Sequence, residues 1–311
     1  MIARLAPLTL FAPLASFIDD VLNLDPLLFQ LLLFGLLMGG IYALAALGLT
    51  MIFGVMDVVN FAHGSFLVAG MYSSWWVATT FGISPFLTIL VAAFVLFGIG
   101  VIVSRLTIEP IIDAPEENQF IVTLGISFIL LAAFELIWGA DPRSLNLQMG
   151  EYELFGALLP ATQLYALIIS VAAIGASWVF LHYTELGRAI RATADNRDAA
   201  WYMGIDVPRI DYLTFGIGSA MAGLAGGTII LFSPFDPFVG ETYLVMSFII
   251  VILGGLGSFP GALVGGLIIG IIEAYGRYYL PGTVNEVLIF GLFVLLLYFK
   301  PTGLLGTEGE Q

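Results

Sequence analysis

Residues 27–53 read LLFQLLLFGLLMGGIYALAALGLTMIF, a run without a single acidic or basic side chain. A helix needs about 20 apolar residues to cross the hydrocarbon core of a bilayer, so these 27 residues are long enough to span it. Glycine is costly inside soluble helices but common in membrane helices, where it lets two backbones approach closely. The run contains four glycines: Gly35, Gly39, Gly40 and Gly48. It therefore predicts a membrane-spanning helix that packs tightly against other helices.

The composition of the whole chain supports the same interpretation. Of its 311 residues, 60% are hydrophobic and 10% are charged, whereas a soluble domain is nearer half apolar and a quarter charged. A globular protein of this length buries its core without such a surplus, so the surplus must face lipid. We predict an all-α, polytopic integral membrane protein of the cell membrane.

Nine apolar stretches predict eight or nine transmembrane helices, depending on whether the short seventh stretch crosses fully. They cover residues 27–53, 61–81, 85–106, 120–138, 164–181, 212–232, 243–256, 262–278 and 284–299. Together they form one membrane domain, residues 27–306. Residues 1–26 are a separate N-terminal segment, either signal-like or interfacial, and residues 307–311 are a short tail.

The orientation follows from the basic residues, because Lys and Arg concentrate in cytoplasmic loops. The polar connection 182–209 holds the densest group of them, Arg188, Arg191, Arg197 and Arg209. We therefore place this connection in the cytoplasm. Counting crossings from there puts Arg105, Lys300 and the C-terminus on the same side.

Charge and residue usage exclude several classes of protein. The net charge of −14 argues against nucleic acid as a partner, and it fits either a solvated acidic face or a protein from a high-salt cell. The chain has no cysteine and only two histidines, so thiolate sites and the His-Glu-x-x-His zinc motif are excluded. The one lysine, Lys300, precedes a proline, which excludes a P-loop. We expect no enzyme activity, no cofactor and no metal.

The connection 182–209 has the features of a docking element for a soluble partner. We predict a single short helix over residues 188–204 that lies along the inner membrane face. Ala199, Ala200 and Met203 would form an apolar ridge, with Arg191, Arg197 and Asp198 around it, and Gly204 would end the helix. The alternative is a solvated loop.

A polar group follows the first apolar stretch. Asp57, Asn60 and His63 are spaced three apart, so on a helix they would share one face and could line a polar cavity. The alternative, which we favour from these residues alone, is an inner loop in which Asn60 caps a helix that begins at Phe61.

Charged side chains and glycine pairs mark the predicted spans. Glu273 and Arg277 are four residues apart and can form a helical ion pair, which we interpret as structural, with a role in translocation as the alternative. Four glycine pairs have the spacing of close helix contacts, within the chain or with a partner. They are Gly35/Gly39, Gly223/Gly227, Gly261/Gly265 and Gly266/Gly270.

Several motifs, in the same order along the chain, resemble one family. The sequence Asp198-Ala199-Ala200-x-x-x-Gly204 resembles the Glu-Ala-Ala-x-x-x-Gly signature with which permeases of ATP-binding-cassette (ABC) importers engage their ATPases, although Asp198 replaces the glutamate. Residues 42–64, 187–192, 253–258 and the ending 300–306 are similar to Liv-type permeases for branched-chain amino acids. The H-type of the two Liv permeases is the closer match, and the likeness covers roughly residues 30–306.

The resemblance implies an importer of several subunits in the cell membrane. This chain would form the translocation path with a second, homologous permease, beside two ATP-binding subunits and an extracellular substrate-binding protein. The coupling residues would be Arg188, Arg191, Arg197, Asp198, Ala199, Ala200, Met203 and Gly204. Closely similar permeases carry urea or short-chain amides. A different class, a stand-alone transporter with Asp57, Glu135 or Glu273 as proton carrier, has no need of such a docking helix, and a passive channel would not depend on ATPases.

The path itself is expected to be lined by small and apolar residues, because aliphatic substrates need an apolar passage with room beside the backbone. The candidates come from the first two spans and from the glycine-rich region after residue 253. They are Tyr42, Asn60, His63, Gly64, Gly254, Gly255 and Gly257.

Overall fold

The computed structural model describes residues 16–17, 20–21, 25–154, 156–280 and 282–306. The tail 307–311 and most of segment 1–26 lie outside these residues, so their predicted placement is not described. The helices are α1 (Pro26–Met56), α2 (His63–Phe81), α3 (Pro85–Val103), α4 (Glu116–Trp138), α5 (Ala161–Tyr183), α6 (Glu185–Asp195), α7 (Arg197–Tyr202), α8 (Val207–Ile229), α9 (Val239–Gly254), α10 (Phe259–Tyr279) and α11 (Gly282–Phe299). A π-helical turn, Ser104–Ile108, and a 3-10 turn, Glu109–Ile111, extend α3.

Each of the nine predicted spans coincides with one helix of the described chain, and the all-α polytopic class is confirmed. Five of the described helices are long and apolar enough to cross a membrane by length and composition: α1, α3 with its extension, α4, α5 and α10. The apolar helices α9 and α11 are shorter. Helices α2 and α8 have lower mean hydropathy because each carries serines, threonines and glycines, and both are largely buried.

Capping explains where the helix bounds differ from the prediction. Helix α8 begins at Val207 rather than 212, because Asp206 accepts a hydrogen bond from the Arg209 amide and Pro208 occupies the first turn. Helix α4 begins at Glu116 rather than 120, with Glu116 and Glu117 beside the positive end of the helix dipole. Hydropathy alone therefore places the apolar part of a helix and misses its polar first turn.

Helix α1 is the centre of the bundle. It packs against α10, α8, α9 and α5, and every residue from Gly39 to Ile52 is buried. A helix that is apolar on all sides and has neighbours on all sides can be buried in this way. Any site on the inner part of α1 is therefore held by several helices at once.

All four predicted glycine pairs lie at contacts within this chain. Gly35 and Gly39 face the backbone of α10, and Gly266 and Gly270 face α1 in return. The Gly223/Gly227 pair meets α3, and the Gly261/Gly265 pair meets α9. At Gly39 a β-carbon would lie 2.8 Å from the Leu267 Cα atom. These glycines set how closely the helices pack.

The connection 57–62 returns into the bundle after α1 ends. Asp57 adopts a left-handed conformation (φ 54°), and Val58, Asn60 and Ala62 are buried beyond it. The His63 Nε2 atom then lies 2.9 Å from the Ala45 carbonyl oxygen, eleven residues before Met56. At 1.5 Å per residue that is about 16 Å along α1 from its end, so α2 begins deep inside the protein.

The sequence did not predict a β-hairpin. Between α4 and α5, strands β1 (Glu151–Leu154) and β2 (Ala157–Pro160) pair antiparallel, with Tyr152 opposite Leu159. This part of the chain was expected only to connect two spans. The hairpin adds no spanning element and leaves the fold class unchanged.

Several segments predicted to share a side lie together at one end of the bundle. The amides of Leu304 and Leu305 donate to the carbonyl oxygens of Leu253 and Gly254 at 2.8 and 3.0 Å. A cavity of about 340 Å³ at this end is lined by residues of α1, the α5–α6 region and the turn before α10. The segment from α6 to α7 and the C-terminal turn are therefore on one side, as the count of crossings requires. That this side is the cytoplasm stays a prediction.

Candidate transport and coupling sites

The predicted coupling helix consists of two helices. Asn196 adopts an extended conformation (φ −160°, ψ 109°) that ends α6, and its side chain caps α7 by accepting from the Ala199 amide at 2.8 Å. Helix α7 ends where Gly204 takes φ 86° and the Ile205 amide bonds the Ala200 carbonyl oxygen at 3.0 Å. The prediction of one helix over residues 188–204 is wrong, because Asn196 satisfies the first amides of α7 better than a continuing helix would.

The apolar surface of α7 differs from the predicted ridge. Ala200 is buried against the bundle, whereas Trp201, Tyr202 and Met203 are 63%, 78% and 83% exposed. Ala199 is exposed and shares a face with Met203. Ala200 therefore does not belong to an exposed ridge, because its small side chain is the one that fits against the protein. We call the exposed residues Trp201, Tyr202 and Met203 the α7 ridge.

Arg197 ties α7 to the membrane helices. Its Nη1 and Nη2 atoms donate to the Asp211 carboxylate at 2.9 and 2.6 Å, and Nη1 also donates to the Val55 carbonyl oxygen at 3.1 Å. The Asp211 side chain is almost fully buried, and its hydrogen bond raises the pKa of the Arg197 guanidinium above the usual value. The start of α8, the end of α1 and α7 are thus joined by one side chain.

The other basic residues of this segment are held more loosely or locally. Arg188 lies 4.0 Å from Glu185 in an exposed pair. The Arg191 Nε atom donates to the Leu181 carbonyl oxygen at 3.1 Å, which fixes the turn between α5 and α6. Asp198 is exposed in the first turn of α7.

The polar group after α1 does not lie on one helix face. Asp57 ends α1, Asn60 lies in the extended connection, and His63 begins α2. The prediction that Asn60 caps a helix beginning at Phe61 is also wrong, because its Oδ1 atom accepts from the Ala62 amide at 3.0 Å in a turn one residue before α2. Asn60 and His63 are fully buried.

The glycines proposed for the path lie at tight contacts. A β-carbon on Gly64 would meet the Gly240 carbonyl group. Gly254 lies against Gly261, Gly255 against Gly306, and Gly257 near Gly54. Gly255 and Gly257 also have φ of 106° and 75°, which favour glycine. A role of these glycines in the path stays a prediction, and a bulky substitution would disturb packing before it could report on a path.

Tyr42 alone among the candidates lines the cavity that contains Glu273. This cavity of about 480 Å³ lies between α1, α9 and α10. Within it, the Tyr42 phenol lies beside the Glu273 carboxylate, and Glu273 pairs with Arg277 at 2.5 Å. The predicted helical ion pair is therefore present, and its carboxylate is buried in a cavity wall. Gln163 and Tyr243, which also line the cavity, were missed because each lies at the edge of a predicted apolar stretch, where a polar side chain gives no sign of a cavity.

Comparison with known proteins places these features in a family. The family model described as "Branched-chain amino acid transport system / permease component" matches residues 31–297. The high-affinity branched-chain amino acid transport system permease protein LivH of Escherichia coli (strain K12) is 34% identical over 88% of this chain and 93% of its own length. No solved structure matches.

Two further relatives agree with this placement. The high-affinity permease protein BraD of Pseudomonas aeruginosa is 30% identical over 89% of this chain and 95% of its own length. The probable permease protein LivH of Methanocaldococcus jannaschii is 31% identical over 86% of this chain and 89% of its own length. With the family model covering most of the chain and these relatives aligned over nearly their full length, the chain belongs to the family of permease components of branched-chain amino acid transport systems.

Proposed function

We propose that this protein is a transmembrane permease subunit of an ABC importer for branched-chain amino acids, and that the α7 ridge docks on an ATPase subunit in the cytoplasm. A second, homologous permease completes the translocation path, and an extracellular binding protein delivers the substrate. ATP hydrolysis takes place on the separate ATP-binding subunits.

The α7 ridge is the observation that carries this proposal. Trp201 and Tyr202 end the six-residue helix α7, Met203 follows it directly, and all three are exposed close in sequence to the arginines of α6 and α7. Large exposed apolar groups among charges mark an interaction surface, and tryptophan and tyrosine are enriched among the few residues that carry most of the binding energy at protein interfaces. Since this segment follows the spanning helix α5 and precedes α8, it lies at a membrane surface, where a soluble partner can reach it.

The contacts that hold α7 against the bundle suit the transmission of movement from a docked ATPase to the membrane helices. Helix α7, which carries the ridge, is short and capped at both ends, and Arg197 connects it to Asp211 on α8 and to Val55 on α1. A displacement of α7 by the ATPase would therefore move the two helices that pack at the centre of the bundle. Because Val55 and Tyr42 both lie on α1, a movement of α7 would also reach the cavity wall at Tyr42.

Paired changes on the ridge test the docking. In Trp201→Ala/Met203→Glu, we expect the chain to fold and insert but to lose co-purification of the ATPase subunits, because the apolar contact is removed and a charge is placed at its centre. Trp76→Ala is the matched control, since Trp76 is 44% exposed on α2, outside this segment. Normal co-purification and normal uptake in the ridge variant would refute the docking. Ala200→Glu is a poorer probe, because Ala200 is buried and the variant would be destabilised.

A further inference from the structure

The cavity at Glu273 extends from one end of the bundle to its middle. Its wall includes Leu31 near the start of α1 and Tyr278 near the end of α10. Tyr42 lies sixteen residues into α1, and Glu273 lies fourteen residues into α10. At 1.5 Å per residue Tyr42 is about 24 Å from the start of α1. Because α10 runs antiparallel to α1, with Gly35 facing Ile271 and Gly39 facing Leu267, Glu273 is about 9 Å from the end of α10 that lies beside that start. The cavity therefore runs from the end of the bundle opposite α7 to the level of Tyr42, in the middle of α1.

Two buried oxygen atoms in this cavity lack hydrogen-bond donors. Within the described part of the chain, neither Glu273 Oε2 nor Gln163 Oε1 has a partner in hydrogen-bond geometry, although both atoms are buried. The Tyr42 hydroxyl lies beside the Glu273 carboxylate but leaves Oε2 without a well-formed hydrogen bond. The Glu273 side chain is only 5% exposed. A buried acceptor without a donor is unfavourable, and more so when it is charged. An ammonium group in this cavity has three hydrogens, enough to donate to both oxygens.

A donor for an anion lies beside these acceptors. Arg277 uses Nη2 to pair with Glu273 Oε1 at 2.5 Å, and its side chain is 66% exposed. The remaining N–H groups of a guanidinium form a planar fork that fits a carboxylate. The cavity thus offers acceptors deep in its wall and a cationic donor one helical turn nearer its mouth.

The rest of the lining is mostly apolar. Phe34, Met38, Phe232 and Ala274 line the cavity together with the Tyr243 ring. Small-ligand sites have volumes of about 300–1,000 Å³ and combine apolar walls with a few polar groups, so the 480 Å³ cavity is of this kind. An aliphatic side chain would bury its surface here while the polar groups hold its charged end.

We infer that this cavity binds the zwitterionic head of an aliphatic α-amino acid on its way through the permease. Glu273 and Gln163 accept from its ammonium group, Arg277 donates to its carboxylate, and the apolar wall receives its side chain. This inference rests on the proposed function and adds to it the residues that hold the substrate.

A double substitution separates a binding role from a structural one. Replacing both members of the pair at once leaves no uncompensated buried charge in the protein, whereas a bound zwitterion would lose both of its counter-charges. The variant Glu273→Gln/Arg277→Gln is therefore expected to assemble with its partner subunits and to retain ATPase activity stimulated by the binding protein. Its leucine uptake should fall about ten-fold or more, as expected from the loss of one charge-assisted hydrogen bond.

The experiment uses the complete transport complex in proteoliposomes, with radiolabelled leucine. Glu135→Gln is the matched control, because Glu135 is an exposed carboxylate on α4 and its loss should leave uptake unchanged. Gln163→Leu serves as a second variant that leaves the ion pair intact, and it decides the result if the double variant does not assemble. The inference is overturned if leucine uptake by the assembled double variant stays within two-fold of wild type. If the double variant does not assemble, the same result in Gln163→Leu overturns it. A wild-type complex that imports no leucine would instead refute the proposed function.

Discussion

The link from α7 to the bundle gives the sharpest prediction on stability. Arg197→Ala removes three hydrogen bonds, two to Asp211 and one to the Val55 carbonyl oxygen. It leaves the Asp211 carboxylate, 3% exposed in the native protein, without its counter-charge. Asp211→Asn is the complementary change, because an amide still accepts one hydrogen bond and Arg197 can turn toward water.

The two changes should differ in size. Breaking a buried ion pair by removing one partner costs about 3–5 kcal/mol. The Arg197 side chain is 35% exposed, so water compensates in part and we expect about 2–3 kcal/mol for Arg197→Ala. For Asp211→Asn we expect about 1 kcal/mol. With about 2 °C per kcal/mol for a chain of this size, the midpoints of thermal unfolding fall by about 5 °C and about 2 °C.

Thermal unfolding of the purified protein in detergent measures this order. Arg188→Ala is the control, because its pair with Glu185 is exposed and at 4.0 Å, and such a pair is worth about 0.5 kcal/mol or less. In the assembled complex, Arg197→Ala should also lower the leucine uptake per ATP hydrolysed, since the ridge is no longer fastened to α1 and α8. Equal midpoints for Arg197→Ala and Arg188→Ala would refute the reasoning.

Two further predictions concern packing and topology. Gly39→Val should abolish folded, monodisperse protein in size-exclusion chromatography, because its β-carbon would lie 2.8 Å from the Leu267 Cα atom. Gly98→Val is the control and should behave as wild type, because a side chain at Gly98 meets open space. Equal elution profiles for the two variants would contradict the close packing. The chain has no native cysteine, so single introduced cysteines report the topology. Asp198→Cys should react with a membrane-impermeant thiol reagent only from the cytoplasmic side, and Leu158→Cys only from outside. The opposite pattern would show that the predicted orientation is wrong.

The spanning helices were predictable because lipid selects for long apolar runs, and those runs are visible in one sequence. Their polar first turns were not, since Asp206 and Glu116 contribute through capping and the helix dipole rather than through hydropathy. The connection 57–62 also escaped prediction. Its path depends on the bond between His63 and Ala45, which are distant in sequence.

For each of the two sites, too, one part was predictable from the sequence and another part was not. The segment around α7 was recognisable from its charges and its aromatic residues, but a helix of six residues is too short for periodicity to reveal that Ala200 faces inward. The Glu273–Arg277 pair was visible from its spacing, yet its place in a cavity was not. That cavity needs Gln163 from α5 and Tyr243 from α9, which only the tertiary fold brings beside α10.

The most direct test of the account is leucine uptake into proteoliposomes that contain this chain with its partner permease, ATPases and binding protein. We predict leucine uptake that requires this chain and requires ATP on the side of the membrane where the ATPases lie. Excess isoleucine or valine should inhibit this uptake, and urea should not. Uptake driven by a proton gradient by this chain alone, or uptake of urea in place of leucine, would contradict it.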